Sequence, residues 1–266
     1  MPKLVLKQLN KVFNQGTINE TQVTNNFSLS LQRGEFVSII GSNGAGKSTL
    51  MNLIAGKLFP TSGTITLNNA DITAVPASKR ATDISRVFQD PRLGSADNLS
   101  IEENLAVAER RGQSAGFRWG LSKQKRQIFR DQLAQLSVGL EERLNVPAAA
   151  LSGGQRQALT LLMATLHTPE VLLLDEHTAA LDPAMSERIM TLTDKIVTKN
   201  AITTLMITHN MQDAIHYGNR LIMLHHGQKV LDVSGEEKQS LTVERLTERF
   251  EKEMGESLTD DELLLR

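Results

Sequence analysis

Apolar and polar positions along this chain follow two rhythms. Short β-branched and aliphatic runs recur at Leu4–Leu6, Phe36–Ile40, Thr64–Leu67, Ser85–Phe88, Val171–Leu174, Thr203–Ile207 and Arg220–Leu224, separated by polar or helix-forming stretches. Several are apolar at consecutive positions, which predicts strands buried on both faces, as in a parallel sheet covered by helices. Helix starts carry their own signals. Ser100-Ile101-Glu102-Glu103 reads as a capping box. Asp182-Pro183 places a capping aspartate before a proline at the first helical position, with helix-compatible sequence to about Lys199. A third helix begins at Lys47 and runs to about Leu58, ended by Pro60. Between 92 and about 150 the strand rhythm stops and the composition turns helical and polar. The expectation is an α/β fold over residues 1–232, with its core at 1–90 and 156–232 and a helical subdomain inserted at about 91–155. A charged, helical C-terminal tail follows over 233–266.

Composition narrows the class. Of 266 residues, 40 % are hydrophobic, enough for a sizeable core, and 29 basic residues nearly cancel 30 acidic ones. That balance argues against a nucleic-acid binder held by net charge. No cysteine is present, which removes disulfides and thiolate metal sites. The start, MPKLVLKQLN, lacks the apolar segment of a secretory signal, and no apolar run approaches the roughly 18 residues of a bilayer-spanning helix. These features predict a cytoplasmic protein that reaches a membrane only through a partner. Positions 110–130 hold Arg110, Arg111, Arg118, Lys123, Lys125, Arg126 and Arg130 and no acid. A solvated helix face is the first reading of that stretch, and a surface held near anionic lipid headgroups is the second. In the tail, Thr259 and Glu262 form a further capping-box pattern, for a short terminal helix or a frayed end.

The chemistry begins at the end of the Phe36–Ile40 run. Gly41, Ser42, Asn43, Gly44, Ala45, Gly46, Lys47, Ser48 and Thr49 contain the spacing G-x-x-x-x-G-K-S between a strand and a helix. Glycines let successive backbone N–H groups converge on one anion, and the helix that follows adds its positive end. Lys47 is then placed for the β- and γ-phosphates of a nucleotide, and the Ser48 hydroxyl for Mg²⁺.

The run Val171–Leu174 ends in Asp175 and Glu176. A strand buried on both faces can offer carboxylates only at its end, where ligands bind in open α/β sheets. Asp175 is expected to anchor Mg²⁺ and Glu176 to orient or deprotonate water. Leu151-Ser152-Gly153-Gly154-Gln155 precedes that strand and opens another helix, giving a serine hydroxyl, glycine amides and a helix N-terminus as a second anion site.

With the P-loop, the acid-ended strand and LSGGQ in this order, the sequence resembles the nucleotide-binding subunits of ATP-binding-cassette (ABC) transporters over residues 1 to about 232. The resemblance implies a P-loop NTPase (RecA-like) core with an inserted α-helical subdomain and a small β-subdomain. Phe13 looks like the aromatic that stacks on adenine, Gln89 like the Q-loop glutamine that also reaches the metal, Asp182 in Ala180-Leu181-Asp182 like the D-loop acid, and His209 like the switch histidine. It further implies a homodimer in which Ser152, Gly153, Gly154 and Gln155 of one chain close over ATP and Mg²⁺ held by the other. The implied partners are integral-membrane permease subunits and, indirectly, an extracellular or periplasmic solute-binding protein. One departure stands out: where the family commonly has a proline after the glutamate, this chain has His177. The variant run resembles ABC ATPases of bacterial solute uptake, among which amino acids, aromatic ones included, are the expected cargo. A soluble ABC ATPase serving as a cofactor-assembly scaffold remains the alternative.

Overall fold

Aliphatic runs build two sheets in the computed structural model, which describes residues 3–112 and 121–254. In chain order the strands are β1 (Leu4–Phe13), β2 (Thr21–Leu31), β3 (Phe36–Gly41), β4 (Ser62–Leu67), β5 (Ala70–Asp71), β6 (Ile84–Val87), β7 (Val171–Asp175), β8 (Thr203–Ile207), β9 (Arg220–His225) and β10 (Gln228–Ser234). The helices are α1 (Lys47–Ile54), α2 (Ala77–Arg80), α3 (Ile101–Glu109), α4 (Lys123–Ala134), α5 (Gly153–Thr165), α6 (Pro183–Lys199), α7 (Met211–His216), α8 (Gly235–Gln239) and α9 (Val243–Met254).

The larger sheet has the order β10-β9-β3-β8-β7-β6, in which β9, β3, β8, β7 and β6 run parallel and β10 closes one edge antiparallel. Every residue of β3 and β8 is buried, as are the first four of β7. That accounts for their largely apolar sequences, since both faces of this sheet are covered. The smaller sheet, β2-β1-β4-β5, is antiparallel and packs Leu4, Leu6, Leu29 and Ile65 against Ile39, Leu173 and Leu205 of the larger one, with α1 in the same cluster. In the helical part, Ile101, Leu105, Phe129 and Leu133 from α3 and α4 pack on Leu159 and Leu162 of α5. The capping boxes expected at Ser100 and the helix over Pro183–Lys199 form as read.

Three strands escape the apolar rhythm: β2, β5 and β10. β2 carries Asn25 and Asn26, the latter at φ 49°, where its pairing with β1 shifts register. β10 is an edge strand whose Lys229 pairs with Asp232, and Asp232 also pairs with Arg220 of β9, so these charges have partners within the sheet. Helix α1 ends at Ile54, earlier than Leu58 and well before Pro60. Gly56, at φ 73°, turns the chain there. Arg80 then reaches across with Nη1 to the carbonyls of Leu53 and Ile54, each at 2.8 Å, with Nε to Val75 at 2.7 Å, and with Nη2 to Ile72 and Thr73.

The basic stretch resolves into internal contacts. Arg111 donates to Ser85 Oγ at 2.6 Å and to the His167 carbonyl at 3.1 Å, Arg126 forms a two-pronged pair with Glu102, and Lys125 pairs with Glu109. These cations tie elements together and are spent on the fold, which weakens the headgroup reading; Arg118 lies outside the described residues. The tail docks on the sheet: Leu246 and Phe250 join Ile40, Met211 and Met223 in one cluster. The Lys238 ammonium donates to the carbonyls of Ile215, Tyr217 and Gly218 at 2.7–3.0 Å, and burial lowers its pKa to about 8. His225 is half-buried with its ring edge-on to Phe250 at 6.1 Å. The pattern at Thr259 and Glu262 lies outside the described residues.

Because Arg80 satisfies five carbonyl contacts from a 3 % exposed position, Arg80→Met should strand buried acceptors at the end of α1. Urea unfolding is expected to register a loss of about 3 kcal/mol, with a change under 1 kcal/mol counting against this capping role.

Candidate active site

The loop from β3 into α1 is shaped by two glycines. At Gly41 (φ 153°) an added Cβ would lie 2.2 Å from the Leu224 carbonyl oxygen, and at Gly46 (φ 92°) it would lie 2.9 Å from that of Val23. Only glycine fits either place. No side chain caps α1 at Gly46, so its first amides are left for an anion. Lys47 is buried beneath the loop and donates from Nζ to the carbonyls of Gly41 at 2.5 Å and Ser42 at 3.0 Å. Burial lowers its pKa, while the nearby charges of Glu176 and Asp175 oppose that shift. Asn43 and Gly44 are exposed at the loop tip, Ala45 is buried with its carbonyl accepting from Gly227 N–H at 3.2 Å, Ser48 is exposed and Thr49 half-buried.

Strand order then gathers the remaining residues. In the register of the parallel strands Ile39 lies beside Ile207, and Ile207 beside Asp175, while Leu174 lies beside Val87. Neighbouring carboxyl ends therefore present the P-loop, His209, Asp175-Glu176 and Gln89 in one row. Glu176 sits at φ 48°, uncommon for a residue with a side chain, and its N–H donates to the Ile207 carbonyl at 3.0 Å. Its carboxylate contacts His209 Nε2. Gln89 is exposed just past β6. Phe13 is half-buried at the end of β1, with Lys11 Nζ 5.0 Å from its ring centre. Its strand partner Thr21 leads to Val23, whose carbonyl oxygen lies close to Gly46.

The LSGGQ segment lies elsewhere. Ser152 caps α5: its Oγ accepts from Gln155 N–H at 3.3 Å, and Gln155 Oε1 accepts from Ser152 N–H at 3.3 Å. Ser152 and Gly153 are exposed, whereas the Gln155 amide turns inward, donating to the Val138 carbonyl at 3.2 Å and accepting from Arg143 at 3.1 Å. Helix α5 packs on β6 and on α3, α4 and α6. Because β8 and β7 stand between β3 and β6, three strand spacings, or about 14 Å, separate the P-loop strand from that edge. Asp182, exposed at the start of α6, accepts from Met185 N–H at 3.1 Å.

Two residues of this region carry no motif. Arg86, on β6, donates from Nη2 to Asp175 and from Nη1 to Asn52 Oδ1 at 2.7 Å, with its guanidinium 4.9 Å from the Phe88 ring centre. Its signal was a lone charge inside a run otherwise read as buried. His177 is 1 % exposed, and its Nε2 lies 3.1 Å from Thr193 Oγ1 on α6. Since the Thr193 hydroxyl donates to the Ile189 carbonyl at 2.7 Å, it must accept from His177, which fixes the Nε2–H tautomer. Among the described residues nothing partners the buried Nδ1.

Among those residues no group of three or more His, Cys, Asp or Glu side chains could hold a metal ion alone. An exposed serine hydroxyl at the start of α1 and one strand-end carboxylate instead suit Mg²⁺, which takes few protein ligands and is completed by phosphates and water. Ser48 and Asp175 fit that donor set.

Comparison with known proteins gives the family and the fold. The profile described as ABC transporter matches residues 24–179. The tyrosine transport ATP-binding protein of Clostridioides difficile is 48 % identical over 93 % of this chain and 98 % of its own length. The thiamine import ATP-binding protein ThiQ of Yersinia pseudotuberculosis is 40 % identical over 76 % of this chain and 80 % of its own. Among solved structures, a dimeric ATP-binding cassette in a post-hydrolysis state bound to ADP and Pi superimposes with a TM-score of 0.73 at 28 % identity, covering 87 % of this chain and 98 % of that one. A second ATP-binding cassette of an ABC transporter gives 0.77 at 25 % identity, covering 94 % and 99 %.

The His177 environment has a consequence for stability. Burial pushes its pKa down to about 4, against about 6.5 in an unfolded chain. Above the higher value both states are neutral and nothing is lost. As pH falls from about 6.5 toward 4, the unfolded chain takes up the proton and the folded one does not, so stability drops on the order of 3 kcal/mol. His177→Gln should flatten this limb in urea melts taken at pH 7, 6, 5 and 4; parallel curves would contradict the buried neutral imidazole.

Proposed function

The chain belongs to the ABC transporter family, and on that premise we propose that it is the ATP-hydrolysing subunit of a solute importer, working as a homodimer on the cytoplasmic face of a permease. The observation that carries this reading is the division of the molecule into two incomplete halves. A P-loop, His209, Asp175-Glu176 and Gln89 share one row of strand ends, while the exposed Ser152-Gly153 tip opens α5, the helix packed on the far edge strand β6. One protomer has a cradle without a cover, and its own cover is carried by α5, which packs on β6, three strands away from the P-loop strand. A second copy turned head to tail supplies both.

In that dimer the P-loop amides and α1 hold the phosphates, and Lys47 exchanges its two carbonyl acceptors for β- and γ-oxygens. Ser48 and Asp175, with Gln89, are the residues that would hold Mg²⁺, whose chemistry when bound is to neutralise charge on those oxygens. Glu176 accepts a hydrogen bond from the attacking water and orients it. His209, which shares a contact with that carboxylate, turns toward the γ-phosphate and ties the glutamate to the state of the nucleotide. Phe13 stacks on adenine. Across the interface Ser152, Gly153 and Gly154 donate to the γ-phosphate of the neighbour's ATP, Gln155 holds their turn in place from inside, and Asp182 borders the same interface. Donors delivered in trans make hydrolysis conditional on closure, a gain of about 10³–10⁵ where an arginine finger does the same.

Among the described residues no helix is long and apolar enough to cross a membrane, so transport requires permease subunits. An amino acid, and an aromatic one such as tyrosine, is the cargo that the relative from Clostridioides difficile favours. Its name and that of the thiamine-import relative both speak for transport, and neither supports the scaffold alternative.

Two variants test the mechanism. Glu176→Gln should keep ATP binding, lower turnover by about 10²–10⁴-fold and accumulate an ATP-dependent dimer in size-exclusion chromatography; wild-type turnover would reject Glu176 as the water-orienting group. Ser152→Arg should leave ATP affinity of the monomer intact yet abolish that dimer in the Glu176→Gln background, and a persisting dimer would refute closure in trans.

A further inference from the structure

We propose that Arg86 is the internal counter-ion of Asp175, and that the guanidinium must leave this carboxylate before Asp175 can serve Mg²⁺. The inference rests on the nucleotide-site reading above and concerns a residue that no motif assigns.

Strand register puts the pair together. Arg86 lies beside Leu173 in the parallel ladder, so Arg86, Leu173 and Asp175 point to one face of the sheet. That face packs under α1, whose Asn52 takes the other arm of the guanidinium. Ser48 and Asn52 are one helical turn apart and share a face of α1. Arg86 therefore bridges two elements that also supply Ser48 and Asp175, and its positive charge already occupies the carboxylate expected to meet the metal. Side chains of both partners are largely buried, at 11 % and 15 % exposure, so the pair is little screened.

The contrast with Arg80 separates a switch from a brace. Every arm of Arg80 has a carbonyl acceptor, whereas among the described residues nothing accepts from the buried Arg86 Nε. The Arg86 site is a partial one, held mainly by the charge of Asp175. A divalent ion beside that carboxylate weakens its hold on the guanidinium by competition for the same oxygens. Once released, Arg86 has Asn52 and the face of Phe88 to rest on, and Lys57 Nζ lies 4.8 Å from the same ring. Phe88 directly precedes Gln89, and its carbonyl accepts from Gln157 of α5 at 3.2 Å.

The experiment compares wild type with Arg86→Met and Arg86→Gln, measuring binding of a non-hydrolysable ATP analogue by calorimetry, once with excess Mg²⁺ and once in EDTA. In EDTA all three proteins should bind alike, because Asp175 is not then engaged. With Mg²⁺ the variants should bind about tenfold more tightly than wild type, and the nucleotide-free variants should melt at lower temperature, since Asp175 has lost its partner. The glutamine variant keeps a hydrogen bond to Asn52, which preserves a readout if methionine impairs folding. An equal gain from Mg²⁺ in wild type and variants, or weaker binding with Mg²⁺ in the variants, overturns the counter-ion role and leaves the nucleotide site standing. A wild type that binds no analogue in EDTA or with Mg²⁺ overturns the site reading and this proposal together.

Discussion

The arrangement rests on one constraint: four parallel strands, β3, β8, β7 and β6, lie side by side in register. Parallel pairing sends every carboxyl end to the same edge, so residues far apart in sequence meet there without long side chains having to search for one another. The ladder fixes Ile39 beside Ile207 and Ile207 beside Asp175. It also draws β8 and β7 into continuous hydrogen bonding past their ends, where Thr208 N–H donates to the Ile39 carbonyl at 3.2 Å and Glu176 N–H to Ile207 at 3.0 Å. The loops at this edge inherit their positions from a core that cannot slip by one residue without turning buried aliphatic faces toward polar ones.

Charge at that edge is managed by pairing. Lys47, Arg86, Asp175 and Glu176 crowd a region of low exposure beside the more exposed His209, and unpaired ions there would be costly. The structure solves this internally: Lys47 turns to loop carbonyls, Arg86 to Asp175, and Glu176 to His209. Each of these contacts uses a group that the proposed mechanism needs for phosphate, metal or water. Substrate binding on that reading is an exchange of partners in which each lost contact is replaced. Such an exchange lets the protein stay folded in both states and bind nucleotide reversibly.

What could be read in advance follows burial. β3, β7, β8 and the start of β9 are buried on both faces, so their composition alone announced them, and glycine, lysine and paired acids at strand ends announced the site. β2 buries one face only and is interrupted by Asn25-Asn26, and β10 is a mostly exposed edge strand carrying Lys229 and Asp232, so neither carried a local signal. The early end of α1 was equally hidden, because Arg80, which caps it, comes from a separate helix. Arg86 and His177 belong to the same class. Their roles depend on which strand lies beside β6 and on Thr193 of α6, and neither neighbour is close in sequence.

His177 shows how a departure from a family pattern is absorbed. A proline at this position would stiffen the chain after Glu176 by fixing φ. Histidine lacks that restraint and places its ring under α6, where the hydrogen bond to Thr193 and full burial hold the turn by packing. The same turn carries Glu176 in its left-handed conformation, and Ala179 N–H closes it by donating to the Glu176 carbonyl at 3.0 Å. Rigidity that a proline would supply covalently is supplied here by a buried side chain. The orientation of Glu176 is thereby linked to the packing of α6, the helix that begins at Asp182 on the proposed dimer face.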